Sequence, residues 1–281
     1  MTRAPANKSA PVLKGADSIE LRGTGPLGVL LLHGFGDTPQ TLSLLARRLN
    51  QKGYGVFAPL LPGHGGTIDA FTSSSADEWI AAARDAYSQM RHRHNSVAVV
   101  GLSMGGALAV ILAAEHRDIP AIALIAPYLG MPRVLRMAAT THWVWGRLAG
   151  NVNARNPRSI RDPIEREKNL AYGQVNGRAL YELLRVVRKG RKALSAVRSP
   201  TLIVQSKEDP RISPRVAEFA LSRIGAADTR VVWTEGAGHI ITVDYGRERV
   251  FDEVERWLAT HGPSGPTAAA VQHAAVERPG D

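Results

Sequence analysis

Short apolar runs alternate along this chain with longer stretches whose apolar residues recur every three or four positions. Val29–Leu32 is a continuous apolar run ending at His33-Gly34, which predicts a strand buried on both faces. From Thr38 to Gln51, Leu42, Leu45, Ala46 and Leu49 fall on one helical face, with Gly53 as a stop. Tyr54–Ala58 predicts the next strand, broken by Pro59. Ser75 with Glu78 three residues on forms a capping box opening a helix to about His94. Ser96–Val100 predicts a strand, Met104–His116 a helix, and Ala121–Ala126 a strand closed by Pro127. The helix at Met104–His116 is small or apolar on every side, so it should be buried.

This alternation with short connections predicts an α/β class domain with a mostly parallel central sheet flanked by helices. From about Tyr128 to Ser199 the pattern becomes helix-like and arginine-rich, with no clear strand. Alternation resumes with a strand at Thr201–Gln205, a helix at Ser213–Ile224, a strand at Arg230–Trp233 and a helix at Gly246–Ala259. The expected organisation is an N-terminal extension with a first strand (1–24), a core (25–129 and 200–261), an inserted helical cap (130–199) and a flexible tail (262–281). A weak helix over Ala268–Val276 is the only order expected in the tail. No internal repeat is visible.

Composition narrows the chemistry. The 281 residues include no cysteine, which excludes disulfides, thiolate metal sites and cysteine nucleophiles. The first residues lack an apolar core segment, so no secretory signal, no transmembrane span and a cytoplasmic location are expected. The net charge of +10 is concentrated: residues 131–200 hold 15 Lys and Arg against 4 Asp and Glu. No nucleic-acid recognition motif accompanies that charge, so nucleic acid is not the expected partner.

Gly101-Leu102-Ser103-Met104-Gly105 fits G-x-S-x-G between a predicted strand and a predicted helix. A serine there sits on a sharp turn whose neighbours must lack side chains, and at a helix N-terminus that favours developing negative charge. Its hydroxyl needs a base. His33, His64 and His239 lie on glycine-rich loops, whereas His92, His94 and His116 belong to helices, His142 to the insertion, and His261 and His273 to the tail. His239 follows the penultimate strand-like element, at the end of the sheet where such folds build sites, and is the candidate base. His33 is read as a structural tie between loops. Asp209 and Glu208 both follow the strand Thr201–Gln205. Asp209 is favoured as the orienting carboxylate because Pro210 and Pro214 define a turn there, and Glu208 is read as a solvated pair with Lys207. The N–H groups of Met104 and Phe35 are the candidate oxyanion donors; losing one such donor typically costs about 10²–10³ in rate.

His33-Gly34-Phe35-Gly36-Asp37-Thr38, Pro62-Gly63-His64-Gly65, Gly101-Leu102-Ser103-Met104-Gly105-Gly106, Asp209 in its loop and Gly238-His239 together resemble the α/β-hydrolase superfamily. Within it they are similar to bacterial carboxylesterases of the monoacylglycerol-lipase type, and Gly238–Asp244 is similar to the histidine loop of that group. The resemblance spans about residues 25–130 and 200–260. It implies the α/β-hydrolase fold and serine carboxylic ester hydrolysis through an acyl-enzyme. Ser103 would be the nucleophile, Asp209 and His239 its partners, and Phe35 and Met104 the oxyanion donors, with no cofactor and no metal. The expected substrate is a small-molecule ester of short to medium chain or a monoacylglycerol, lipid-like or anionic. Other chemistry on the same fold (thioesterase, C–C hydrolase or perhydrolase) and a non-catalytic ligand-binding protein are the alternatives. Met131, Val134, Leu135, Met137, His142, Trp143, Val144, Trp145 and Leu148 lie among the arginines of the insertion. They read either as an amphipathic lid with its apolar face over an acyl pocket, or as a solvated helical face. Oligomeric state stays open.

Overall fold

The computed structural model describes residues 11–263, so the residues before 11, the helix expected at Ala268–Val276 and His273 lie outside the described residues. The chain enters through β1 (Ile19–Leu21) and β2 (Leu27–Leu32), and a 3-10 turn at Pro39–Leu42 leads into α1 (Ser43–Gln51). There follow β3 (Gly55–Ala58), α2 (Ile68–Ser73), α3 (Ala76–Arg93), β4 (Ser96–Leu102), α4 (Met104–Glu115) and β5 (Ile122–Ile125). The intervening segment holds α5 (Arg133–Thr140), α6 (His142–Ala149), β6 (Val152–Asn153), α7 (Pro163–Lys168), β7 (Gln174–Val175) and α8 (Gly177–Ala193). The chain returns through β8 (Thr201–Ser206), α9 (Arg215–Leu221), β9 (Thr229–Thr234) and α10 (Arg247–His261).

One seven-stranded sheet runs in the order β1-β3-β2-β4-β5-β8-β9. β1 pairs antiparallel to β3, and every other pairing in this sheet is parallel. Strand side chains alternate between faces. Leu30, Leu32, Val97 and Val99 therefore join one apolar cluster with α3, α4 and α8. Val29, Leu31, Ala98 and Val100 join a second with α1 and α10. Both clusters need continuous apolar runs in the central strands, which is what the sequence displays. Helix α3 opens on the expected capping box, in which the Ser75 N–H donates to Glu78 Oε2 at 2.8 Å.

The uniform apolar surface of α4 is explained by what covers it. The sheet lies on one side and α8 on the other, close enough that a Cβ on Gly190 would sit 3.2 Å from that of Ala107. Three features depart from the sequence expectation. The intervening segment does contain strands: β6 and β7 form a two-stranded antiparallel pair. Two-residue strands are too short to show a period-two pattern. The helix expected at Ser213–Ile224 begins only at Arg215, after Pro214. His261 is not in a loose tail but ends α10, with its ring against Trp257 and its Nε2 2.9 Å from Asp228 Oδ2. Among the described residues no helix is long and apolar enough to cross a membrane.

Candidate active site

β4 ends at Leu102 and α4 starts at Met104, leaving Ser103 alone to turn the chain. Its φ of 56° and ψ of −115° lie in a region that L-residues rarely occupy. Such a conformation costs on the order of 1–3 kcal/mol and survives only when the surroundings over-determine it. Here they do. The Ser103 N–H donates to Ile125 O at 2.9 Å, and Ser103 O accepts from Gly106 and Tyr128 N–H. A Cβ at Gly105 would lie 1.9 Å from Leu32 O, and one at Gly101 2.1 Å from Gly105 O. Both glycines are therefore required by close approach of the backbone to itself.

The loops after β9 and β8 bring the other two predicted residues to this turn. His239 Nε2 is 2.9 Å from Ser103 Oγ, and His239 Nδ1 is 2.8 Å from Asp209 Oδ2. An acceptor-only carboxylate requires Nδ1 to carry the proton, so Nε2 accepts from the serine hydroxyl. Asp209 Oδ1 accepts the Arg211 and Ile212 N–H groups at 2.7 and 3.0 Å, and Oδ2 also accepts Gln205 Nε2 at 3.0 Å. Burial alone would push the Asp209 carboxyl up. The facing His239 and these N–H bonds outweigh it and hold the group below its ordinary value. The rejected carboxylate, Glu208, points elsewhere, but not to the expected lysine: it pairs with Arg161, and Lys207 pairs with Glu235 at 2.8 Å.

The loop after β2 carries the other predicted donor. His33 Nε2 accepts the Leu61 N–H at 3.1 Å and its Nδ1 lies 2.9 Å from Gly34 O. His64 Nε2 accepts the Gly36 N–H at 3.1 Å and its Nδ1 lies 3.0 Å from Pro62 O. Both rings are thus Nδ1–H tautomers tying loop to loop, as expected for His33. Burial, chiefly, holds His33 well below its ordinary pKa and brings His64 down to about 4, so both are neutral. With Gly36 N–H taken, the Phe35 N–H has no hydrogen-bond partner among the described residues. Met104 N–H is likewise free of the helix ladder, because it belongs to the first turn. Phe35 leans edge-on against Phe71 and Trp79. Next to it, burial raises the Asp37 carboxyl from 3.8 to about 6, even though the Thr38 N–H donates to it at 2.8 Å.

Sequence reasoning missed the residues that hold these loops together. The buried Asp244 carboxylate accepts four backbone N–H groups: Arg161 and Gly238 on Oδ2 at 2.9 and 2.7 Å, Asp162 and Tyr245 on Oδ1 at 2.9 Å each. Ser159 O accepts the His239 and Ile240 N–H groups at 2.8 and 2.9 Å. Arg211 donates to Ser159 Oγ at 2.8 Å and to Ala154 O at 2.7 Å. Residues 154–162 of the intervening segment are thereby bonded to both loops that carry His239 and Asp209. An acid closing the apolar run Ile240-Ile241-Thr242-Val243 was the available signal for Asp244; Ser159 offered none.

A strained serine between a parallel strand and a helix, with its acid and histidine following in the order Ser103, Asp209, His239, defines an α/β-hydrolase. The chain belongs to the family described as Hydrolase_4, serine aminopeptidase, S33, which it matches over residues 27–245. It is 30% identical over 253 residues to a thermostable monoacylglycerol lipase of Bacillus sp. (strain H-257), covering 89% of this chain and 97% of that one. It is 26% identical to a carboxylesterase of Bacillus subtilis (strain 168), covering 83% and 93%. A solved structure described with LipS and LipT, two metagenome-derived lipolytic enzymes, matches with a TM-score of 0.82 at 28% identity, covering 89% of this chain and 100% of that one.

Proposed function

We propose that in this serine ester hydrolase Ser103 is the nucleophile, His239 the general base and acid, and Asp209 the group that orients the imidazole. Ser103 Oγ attacks the ester carbonyl carbon while His239 Nε2 takes its proton. The oxyanion is held by the Phe35 and Met104 N–H groups. Collapse breaks the bond to the alcohol oxygen, which receives the proton from Nε2. Water then loses a proton to His239 and attacks the acyl-serine carbon; the bond to Ser103 Oγ breaks, Oγ takes the proton back from Nε2, and the acid is freed. Asp209 steadies the imidazolium in both halves.

The observation carrying this reading is the unbroken chain from Ser103 Oγ through His239 to Asp209, with contacts of 2.9 and 2.8 Å. Similarity to a monoacylglycerol lipase and a carboxylesterase supports short- to medium-chain esters or monoacylglycerols as substrates. The bonds from residues 154–162 to the His239 and Asp209 loops, and from Tyr172 N–H to Gly36 O at 3.1 Å, support residues 130–199 as a cap over the site. A cytoplasmic location belongs to the same reading. The test is fluorophosphonate labelling followed by a panel of p-nitrophenyl esters and monoacylglycerols of graded chain length. Labelling at Ser103 and turnover of esters are expected. A folded Ser103→Ala variant that still hydrolyses p-nitrophenyl butyrate overturns the assignment.

A further inference from the structure

Part of the apolar set of the insertion faces outward. On α5 and α6, Val134, Met137, Trp143 and Val144 are 77, 68, 72 and 55% exposed. The opposite side attaches the helices: Ala139 is buried, Met131 and Ala138 pack on the core, and Trp145 Nε1 donates to Ala138 O at 2.9 Å. The outward residues therefore contribute nothing to attachment, and their clustering on two consecutive helices exceeds the scattered exposure of a water-facing surface. The side chain of Leu148 lies outside the described residues.

The charge carried by these two helices has one sign. Residues 133–149 contain Arg133, Arg136 and Arg147 and no acid. Arg133 and Arg136 take part in no ion pair among the described residues. Arg191 of α8 stacks over Phe219 at 3.8 Å from the ring centroid. Burial, then repulsion from Arg136 and Arg223, holds Arg191 below its ordinary value. Arg223 lies over the same Phe219 ring at 5.8 Å, and α8, which carries Arg191, packs against α5.

We propose that the α5–α6 surface docks on an anionic phospholipid bilayer, with Val134, Met137, Trp143 and Val144 in the interfacial layer and the arginines on headgroup phosphates. Apolar side chains with an amphipathic tryptophan suit the headgroup–acyl boundary, and guanidinium pairs with phosphate in a two-pronged geometry. A nucleic acid would match the charge but leave the ridge in water. A second copy placed face to face would set arginine against arginine. The position gives docking a use: α5 follows the C-terminal end of β5, next to the end of β4 that bears Ser103. That use rests on the ester-hydrolase reading; the docking itself does not.

The test is co-sedimentation of the full chain with phosphatidylcholine vesicles and with phosphatidylcholine–phosphatidylglycerol vesicles. Binding to the second only, weakened by added salt, is expected. Arg133→Glu with Arg136→Glu should weaken it about tenfold or more, and Val134→Ser with Met137→Ser and Trp143→Ser should weaken it comparably. Both variants should keep wild-type turnover of dissolved p-nitrophenyl butyrate. Equal binding to both vesicles, binding untouched by the variants, or a wild-type dimer that the variants convert to monomer each overturns the proposal. Loss of ester turnover in the wild-type protein would instead overturn the catalytic reading and leave the vesicle result standing.

Discussion

The loops around Ser103 and the outer surface of α5 and α6 are opposite solutions to the same problem. Around the serine, polar groups are paired inward: Asp209, Asp244, His33 and His64 each hold two or more partners. On α5 and α6, five large apolar side chains and two arginines face water. The first region is specified by contacts within the chain, since an unpaired buried polar group costs about 1–3 kcal/mol. The second has a composition that internal contacts do not require, and it is the surface for which bilayer docking is proposed.

The largest way to break the comparison is Ser103→Ala. It should lower kcat about 10⁶-fold while leaving the urea midpoint almost unchanged, because in the proposed mechanism the hydroxyl serves reaction and not packing. Fluorophosphonate labelling and chemical denaturation read the two halves. A large loss of stability would show that the serine is part of the structural frame instead.

Asp244→Asn comes next. An amide can accept on one atom only, so the N–H groups of Arg161 and Gly238, or those of Asp162 and Tyr245, lose their acceptor. A loss of about 2–4 kcal/mol is expected in urea denaturation, together with a fall in kcat as the His239 loop loosens. A variant as stable and active as the wild type would mean that the surrounding bonds suffice.

Asp37→Asn should act in the other direction. The folded protein holds the Asp37 proton up to about pH 6, against 3.8 for the free group. The stability linked to this group is therefore full below about pH 4 and is lost as pH rises through 6. Asparagine removes that loss, which is worth on the order of 2–3 kcal/mol at neutral pH, and keeps an acceptor for the Thr38 N–H. His64 slopes the opposite way, losing stability as pH falls from 6.5 towards 4. With Asp37 gone, stability between pH 4 and 6 should rise more steeply with pH. Thermal unfolding across that range is the check.

The smallest effect belongs to the outer surface. Val134→Ser with Met137→Ser should change unfolding free energy by only about 0.5 kcal/mol, in contrast to Asp244→Asn. A larger loss would mean that these side chains pack on something within the molecule.

The strand–helix alternation, the capping box at Ser75, the turn at Ser103 and the two loop residues Asp209 and His239 were legible because each is a local demand. Gly101 and Gly105 announce a backbone that collides with any side chain, and an apolar run of strand length announces burial on both faces. β6 and β7 were not legible, since two residues carry no period. Nor were the partners of Glu208 and Lys207, because two neighbours in sequence were drawn to charges 47 and 28 positions away by the way their loops meet.

The sequence by itself determined the order of layers and the identity of the groups that can react, since both are written in spacing and residue type over a few positions. Tertiary structure alone decided that Asp244 and Ser159 join the insertion to the histidine loop, and that the apolar ridge of α5 and α6 faces out. Those outcomes depend on which distant backbone groups come within about 3 Å of one another, and no window of neighbouring residues contains that distance.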